Sequence, residues 1–472
     1  MATWWLLLTP VLCLLAATLP HLDQGGYRKD TGRYAAVGLQ AWRDGHAWTL
    51  YLHPEEPPYF AKPPLAFWIH GLSMHALGVQ VWAARLPSIL AAAGCVLLTV
   101  LIARAFFRRP SALAAGVTLA FTYEFFRRAR EISLDLWQLL FLLGALWLVS
   151  VAITRNRRAL WLLAGIPIGL ALMTKPLAAL TAYPLLIVWL LWIGRARLIP
   201  WCLGGMGVAL AVALPWHGSM YAIHGSAFTD AYFGSEVVAR AQGEIQTRSP
   251  LYFVSIISRT YWPWLIPATL GVVEFVRRRR ELTPGSPAGM GLRLAIVWAL
   301  GWLVLLSAFP DKHPRYALPI YPALALLAGW WTASCAPAAL RGALHRARPF
   351  VAPGAVAVLV LVSLLPIRFQ RPRHADWREL SEFLADKSPD LVWSRFMGSN
   401  DRGEFYLDQG YWPRSADGPD GAISPDLPEG ALIVTKHTGE LMPHAPGRVV
   451  FESSDGVFMV RRNGRVRSAG GP

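Results

Sequence analysis

Charge is the scarcest property of this chain. Only 16% of its 472 residues are Asp, Glu, Lys or Arg, where about 25% is usual for a soluble domain, and an ordinary water-soluble globule is excluded. Acid is scarcer than base, with 29 Asp plus Glu against 45 Lys plus Arg and a formal net charge of +16. Such an excess points to nucleic acid where the basic residues form one patch or helical stripe. Here they punctuate the ends of apolar runs, so nucleic acid is set aside as a partner. Cysteine is nearly absent: Cys13, Cys95, Cys202 and Cys335 each lie in or at the end of an apolar run, and neither a disulfide framework nor a thiolate metal site is indicated. The histidine pairs His70/His75 and His217/His224 have no nearby carboxylate at metalloenzyme spacing. No internal repeat stands out. The first apolar stretch lacks a basic n-region and a small-x-small cleavage site, and reads as a retained helix rather than a leader.

What the chain has instead is hydrocarbon, 54% of the sequence, gathered into runs such as 134–151 and 292–309 that are long enough to cross a bilayer. Runs of this kind place crossings near 3–20, 84–104, 111–125, 133–153, 159–174, 177–194, 199–216, 251–275, 291–309, 316–335 and 350–367, about eleven in all. Alternate gaps hold the basic clusters: Arg104, Arg108 and Arg109; Arg155, Arg157 and Arg158; Arg195 and Arg197; Arg277 to Arg280; Arg341, Arg346 and Arg348. The positive-inside rule puts those gaps in the cytoplasm and every long polar segment outside. The expectation is a polytopic α-helical membrane protein of the inner (cytoplasmic) membrane. Residues 1–368 form its membrane domain, with a large first external loop at 21–83. Residues 369–472 form a small C-terminal extracytoplasmic α/β domain, with a helix near 377–385 and alternating runs at 431–435 and 456–460 that read as strands.

Several charges are not needed for topology, and ionisable groups at a membrane are functional candidates by default. The first loop offers Asp30, Arg33 and Tyr34 before a helical pattern. Tyr59 and Lys62-Pro63-Pro64 then precede an amphipathic stretch at 65–77, which predicts a helix along the membrane surface with Phe67 and Trp68 in the interface. Arg127 and Arg128, ahead of Asp135, are cations on the external face that demand an anion. Lys312 and Arg315 follow the same pattern, and Lys175 adds another cation on that side. Together they suit a lipid phosphate held by charge-assisted bonds. Each member has a plain structural reading beside this one. External Arg residues snorkel to headgroups, Lys62 stands before prolines that favour a helix start, and Asp30 occupies an N-cap position. Tyr261-Trp262-Pro263-Trp264 and Trp330-Trp331 read as interfacial belts.

The chain resembles the GT-C glycosyltransferases that use a polyprenyl-phosphate sugar, in the branch of the protein mannosyltransferases and lipid A aminoarabinose transferases. The likeness rests on Asp30-Thr31-Gly32-Arg33-Tyr34, Tyr59-Phe60-Ala61-Lys62-Pro63-Pro64-Leu65 and Ala84-Arg85-Leu86-Pro87-Ser88, in that order. It continues through Ser133-Leu134-Asp135, Met173-Thr174-Lys175, Pro215-Trp216 and Lys312-His313-Pro314-Arg315-Tyr316, over residues 20–335.

The resemblance implies a GT-C fold and a sugar transfer on the outer face of the membrane, from a polyprenyl-phosphate donor to lipid A, another envelope glycan or a protein. It implies Asp30 and Asp135 as the catalytic carboxylates, with Arg33, Tyr34, Tyr59, Lys62, Arg85, Arg127, Arg128, Lys175, Glu236, Lys312 and Arg315 binding substrate. The sequence departs from the aminoarabinose transferases at two positions. Ala61 stands where they have Glu, and Val237 where they have His; both are metal positions in those relatives, so no metal ligand is assigned. A transporter or flippase of a lipid-linked or anionic substrate is the alternative. It predicts charged or Gly/Pro-broken helices near the midplane, whereas the surplus charges here sit at helix ends. A scaffold that merely displays the tail has no use for the set Asp30, Lys62, Asp135, Lys175 and Arg315.

Overall fold

A computed structural model of the chain describes residues 5–20, 22–23, 27, 30–52, 57–238 and 248–339, together with parts of 341–361 and of 375–462. Its contacts divide the chain into two units, one of Met1–Leu22, Tyr59–Ala66 and Arg85–Pro366, the other of Asp23–Pro58, Phe67–Ala84 and Ile367–Pro472. The second unit thus takes most of the first loop together with the tail.

The first unit is helical. Helices Val81–Phe106, Leu134–Thr154, Ala196–His224 and Pro287–Ala308 are long and apolar enough to cross a membrane, and Leu8–Thr18, Ala159–Leu172 and Pro176–Trp192 are shorter apolar helices. Leu134–Thr154 has 21 residues, about 31 Å at 1.5 Å per residue. With hydrocarbon tails outside, hydrophobic burial gives little drive for helix association, and close backbone contact between small residues takes its place. Gly165 and Gly169 lie one turn apart against Gly205 and Ala209. A Cβ at Gly165 would strike the Gly205 carbonyl, and one at Gly205 would come within 2.5 Å of the Trp161 carbonyl oxygen.

Several boundaries differ from the hydropathy reading. The crossing expected at 111–125 is a helix over Arg109–Ala120, and a separate short helix, Tyr123–Ala129, follows after Thr122 turns extended. The run at 251–275 is divided into Tyr252–Thr260 and Leu265–Arg277, with a cis Trp262-Pro263 peptide between them. The helix expected to end at 216 runs on to His224 despite Pro215. The crossing at 350–367 lies for the most part outside the described residues. Of the aromatic belt residues, Trp262 is exposed, but Tyr261 and Trp330 are buried.

In the second unit helix Thr31–Arg43 crosses Leu65–Leu77 through Gly38 and Gly71. A Cβ at Gly38 would lie 2.6 Å from the Phe67 carbonyl oxygen. Phe67, expected in the membrane interface, is fully buried and packs edge-on against Tyr34, their ring centroids 5.5 Å apart. Trp68 is half-buried, its indole N–H donating to the Ala47 carbonyl at 2.5 Å. The exposed apolar side chains of that helix are Leu72 and Leu77. The tail contributes helix Ala375–Leu384 and a five-stranded sheet of β1 (Val392–Arg395), β2 (Arg414–Ser415), β3 (Leu432–Lys436), β4 (Arg448–Glu452) and β5 (Phe458–Arg462). The strand order is β2-β1-β3-β5-β4, with β1 parallel to β2 and β3, and β5 antiparallel to β3 and β4. Alternation along β3 sends Leu432 and Val434 to a core with Leu380, Leu384, Phe405, Phe458 and Val460, and Ile433 to the other face with Trp393.

The glycine contact gives a stability test. Gly165→Leu places a branched side chain against backbone that cannot yield and is expected to cost about 1–3 kcal/mol or more, lowering the thermal midpoint in detergent. Gly207→Ala, with nothing within 4 Å of its Cβ, is expected to leave the midpoint unchanged or raise it slightly.

Candidate active site

A carboxylate surrounded by cations stands at the head of the Leu134–Thr154 helix. Ser133 caps that helix, its Oγ accepting from the Leu136 amide at 3.4 Å, while its own amide donates to Ser88 Oγ at 2.9 Å. This fixes the first turn and with it Asp135, which is nine-tenths buried. Lys175 Nζ donates to Asp135 Oδ1, and Arg315 Nε lies 3.9 Å from Oδ2. Lys175 occupies the turn between Gly165–Leu172 and Pro176–Leu180. Its carbonyl accepts from Gln138 Nε2 at 3.3 Å, and its ammonium lies 5.2 Å from the centre of the Tyr316 ring. The amide of Leu65 donates to the Met173 carbonyl at 3.2 Å. That bond ties the Lys62-Pro63-Pro64 segment to the Lys175 turn, and Lys62 acts electrostatically on Lys175.

Burial pushes the Lys175 pKa down from its ordinary 10.5 to about 8; Arg315 and Lys62 push the same way, against the attraction of Asp135. An anion placed beside it would offset the neighbouring cations and hold the proton on Lys175 to higher pH.

The neighbouring cations are employed differently. Arg127 donates through Nε and Nη2 to the two carboxylate oxygens of Glu124, at 3.1 and 2.9 Å. Arg128 donates to Glu124 at 2.8 Å and to Glu131 at 2.8 Å. Two buried glutamates thus supply anions to both arginines inside the chain. Arg130, also buried, donates to the Thr18 carbonyl at 2.5 Å and the Pro20 carbonyl at 2.8 Å, pinning the end of the first helix. Lys312 is 2% exposed, and its ammonium donates to the carbonyls of Phe309 and Arg248. Arg85 is buried and donates to the Leu22 carbonyl at 2.8 Å.

In the second unit Asp30 stands at the N-cap of Thr31–Arg43 without a side-chain cap bond; its carboxylate accepts instead from Arg33 Nη2 at 3.1 Å. Arg33 lies 5.7 Å from the centre of the Tyr34 ring, and Tyr34 is buried. In the first unit Tyr59 is half-buried, and the adjacent Phe60 packs on His224 and Phe228. Glu236 belongs to the helical segment Asp230–Val238, and its side chain lies outside the described residues.

The structure thus gathers Lys62, Asp135, Lys175 and Arg315 in the first unit and pairs Asp30 with Arg33 in the second. Sequence reading missed Gln138 and Tyr316 as partners of Lys175. Gln138 had a signal, since it lies three residues after Asp135 and so on the same helix face. Tyr316 sits within the quoted Lys-His-Pro-Arg-Tyr run. Ala61 and Val237 have no donor atom, and among the described residues no three His, Cys, Asp or Glu side chains converge.

Comparisons with known proteins bear on this arrangement. Residues 61–218 match the family model described as dolichyl-phosphate-mannose-protein mannosyltransferase. The chain is 29% identical over 339 residues to the undecaprenyl phosphate-α-4-amino-4-deoxy-L-arabinose arabinosyl transferase of Pseudomonas aeruginosa, covering 69% of this chain and 59% of that protein. It is 27% identical over 382 residues to the corresponding transferase of Erwinia tasmaniensis, covering 78% and 66%. The chain therefore spans about three-fifths of the length of such relatives. The crystal structure of ArnT from Cupriavidus metallidurans bound to undecaprenyl phosphate superposes with a TM-score of 0.75 at 20% identity, covering 100% of both chains. The apo oligosaccharyltransferase of Archaeoglobus fulgidus follows at a TM-score of 0.56 and 13% identity, covering 89% of this chain and 65% of that one. The sequence likeness is thus to aminoarabinose transferases, and the fold is that of the ArnT crystal structure.

The position of Lys175 has a measurable consequence. Affinity for a lipid phosphate is expected to fall as pH rises through about 8, by up to about tenfold per unit once the proton must be taken up on binding. Lys175→Arg keeps its charge and flattens the profile. Asp135→Asn removes the main attraction for the proton and moves the midpoint below 8. The sign for stability is opposite. Between about 8 and 10.5 the folded chain holds fewer protons than the unfolded one, so this residue's contribution to stability increases with pH across that window.

Proposed function

We propose that this chain, related in sequence and fold to the ArnT-like GT-C glycosyltransferases, moves a sugar from a polyprenyl-phosphate carrier to an acceptor of the cell envelope. The observation that carries the reading is the convergence of Lys62, Lys175 and Arg315 about Asp135. In displacement at the anomeric carbon the bond to the lipid phosphate breaks as the bond to the acceptor oxygen forms. The leaving group is a stable anion, and fixed cations in a water-poor site supply much of the transition-state stabilisation. Asp135 holds Lys175 and Arg315 in place and keeps two like charges together until the phosphate arrives.

Asp30 is the proposed base. Where the acceptor is an alcohol, its carboxylate takes the hydroxyl proton, worth about 10² to 10⁴ in rate. Where the acceptor is itself a phosphate, no proton need be removed and Asp30 orients the reactants. A single base with in-line attack gives inversion, by analogy with the carboxylate geometry of glycoside hydrolysis. Lipid A is the first acceptor to test, because relatives in Pseudomonas aeruginosa and Erwinia tasmaniensis are named as aminoarabinose transferases.

The proposal includes the topology: an inner-membrane protein of about eleven crossings, residues 1–368 as catalytic membrane domain and 369–472 outside the membrane. The basic helix ends face the cytoplasm, and Lys62, Asp135 and Lys175 face the outer side.

The test is release of polyprenyl phosphate, read by mass spectrometry, when the purified protein in nanodiscs meets a panel of polyprenyl-phosphate sugars and envelope acceptors. Wild type is expected to release it and to give product of inverted configuration by NMR. Asp30→Asn is expected to lose about 10²-fold or more with an alcohol acceptor, and Lys175→Ala to weaken donor use. A folded wild type that releases nothing across the panel, or an Asp30→Asn variant as fast as wild type with an alcohol acceptor, overturns the reading.

A further inference from the structure

The far end of the Leu134–Thr154 helix carries a second group of cations. It lies about 30 Å along that helix from Asp135, at 1.5 Å per residue. There Asn156, Arg158, Trp161, Arg195, Arg197 and Leu198 line a small, mainly polar pocket. It is formed where the Leu134–Thr154 and Ala182–Trp192 helices end and the Ala159–Leu163 and Ile199–His224 helices begin. Its shape is set by backbone. Asn156 adopts a left-handed conformation, φ +51°, which non-glycine residues seldom do, and the Arg157 amide bonds back to the Ala152 carbonyl at 2.9 Å. Gly194, φ +68°, reverses the chain in the same way ahead of Arg195, whose amide reaches the Leu190 carbonyl at 2.8 Å. Trp161 is buried, and its carbonyl packs directly on Gly205. Arg158 lies over the Trp201 ring at 6.0 Å.

Among the described residues the three guanidiniums have no counter-charge. The sequence contains no Asp or Glu from 152 to 200, and among the described residues none of the three makes an ion pair. That sets them apart from Arg127 and Arg128, where two glutamates close the account. Topology explains why basic residues lie at this end of the helices; it does not require three of them to face one pocket. On the same helices the adjoining outward surface is hydrocarbon, with Leu163, Leu191, Trp192 and Leu203 all exposed. A ligand matching both surfaces has a phosphate for the arginines, which bind it bidentately, and acyl chains for the leucines. Basic pockets between membrane helices take lipid headgroups in this way.

We propose that this pocket is a binding site for the phosphate of an anionic phospholipid. The site is separate from the Asp135 cluster and does not rest on the transfer reaction. The phosphate chemistry is shared with soluble phosphate, and the acyl-facing surface favours the lipid.

The experiment is native mass spectrometry of the delipidated full chain in detergent, titrated separately with phosphatidylglycerol, phosphatidylcholine and inorganic phosphate. Phosphatidylglycerol is expected to be retained and phosphatidylcholine not. The triple variant Arg158→Gln, Arg195→Gln, Arg197→Gln is expected to bind phosphatidylglycerol roughly a hundredfold more weakly, from about fivefold per basic residue. The control Arg277→Gln, Arg279→Gln, Arg280→Gln removes the same charge from exposed positions outside the pocket and is expected to bind as wild type. Should the triple variant fail to fold, Arg197→Gln alone, at an exposed position, reads the expected fivefold. Equal loss in the control, unchanged binding in the pocket variants, or equal retention of phosphatidylcholine overturns the proposal. Binding of inorganic phosphate that the triple variant abolishes, with no lipid retained, assigns the pocket to a soluble phosphate and overturns the lipid.

Discussion

An ionised carboxylate at the mouth of an apolar helix must be neutralised by the protein itself, and the pairing of Asp135 with Lys175 and Arg315 is where this chain meets that requirement. Removing one partner of such a pair costs about 3–5 kcal/mol, since the survivor is left charged and buried. Much of the surrounding structure serves to hold it. Ser88 and Ser133 fix the turn that carries Asp135, Gln138 holds the backbone of Lys175, and the Leu65 amide ties the Lys62 segment to the same turn. These contacts join four stretches distant in sequence, which is why the fold must form before the site exists.

The Glu124, Arg127, Arg128 and Glu131 cluster shows what a purely structural solution to the same problem looks like. Two guanidiniums meet two carboxylates with five contacts, four of them hydrogen bonds of 2.8 to 3.1 Å. The groups that act most strongly on Lys175 are by contrast two cations and one carboxylate. Burial is the main cause of the depressed lysine pKa, and the two neighbouring cations add to it. An anion placed among them would offset that repulsion.

The division of labour among these charges was only partly legible in the sequence. The amphipathic helix at 65–77 and the tail's helix and strands were readable because their signals are local: periodicity, capping and turn residues. Arg127 and Arg128 looked like ligands because a sequence read linearly does not show that Glu124 and Glu131, one turn to either side, fold back onto the same two guanidiniums. The surroundings of Lys312 were illegible for a related reason. Its partners are backbone carbonyls, including that of Arg248, 64 residues away, and carbonyls leave no trace in a composition. Phe67 was placed in the interface by its period, yet the Gly38–Gly71 crossing draws that face into the unit's core. Hydropathy also cannot see breaks within a run, so 251–275 reads as one helix although its backbone turns between Thr260 and Leu265.

Ala61 and Val237 make the fixed cations matter more. A divalent ion holds its charge over the whole working range of pH, whereas an ammonium in a desolvated cluster holds its proton only as far as its neighbours allow. With hydrocarbon at Ala61 and Val237, the proposed transfer assigns neutralisation of the leaving phosphate to Lys62, Lys175 and Arg315. Of the last two, the guanidinium stays charged at any physiological pH, whereas Lys175 starts to lose its proton as pH nears about 8. On the proposed reading Arg315 supplies constant attraction and direction, while an approaching phosphate holds the proton on Lys175 to higher pH. A site built this way binds its anion most tightly at the moment when negative charge is greatest, which is the property that turns binding energy into rate.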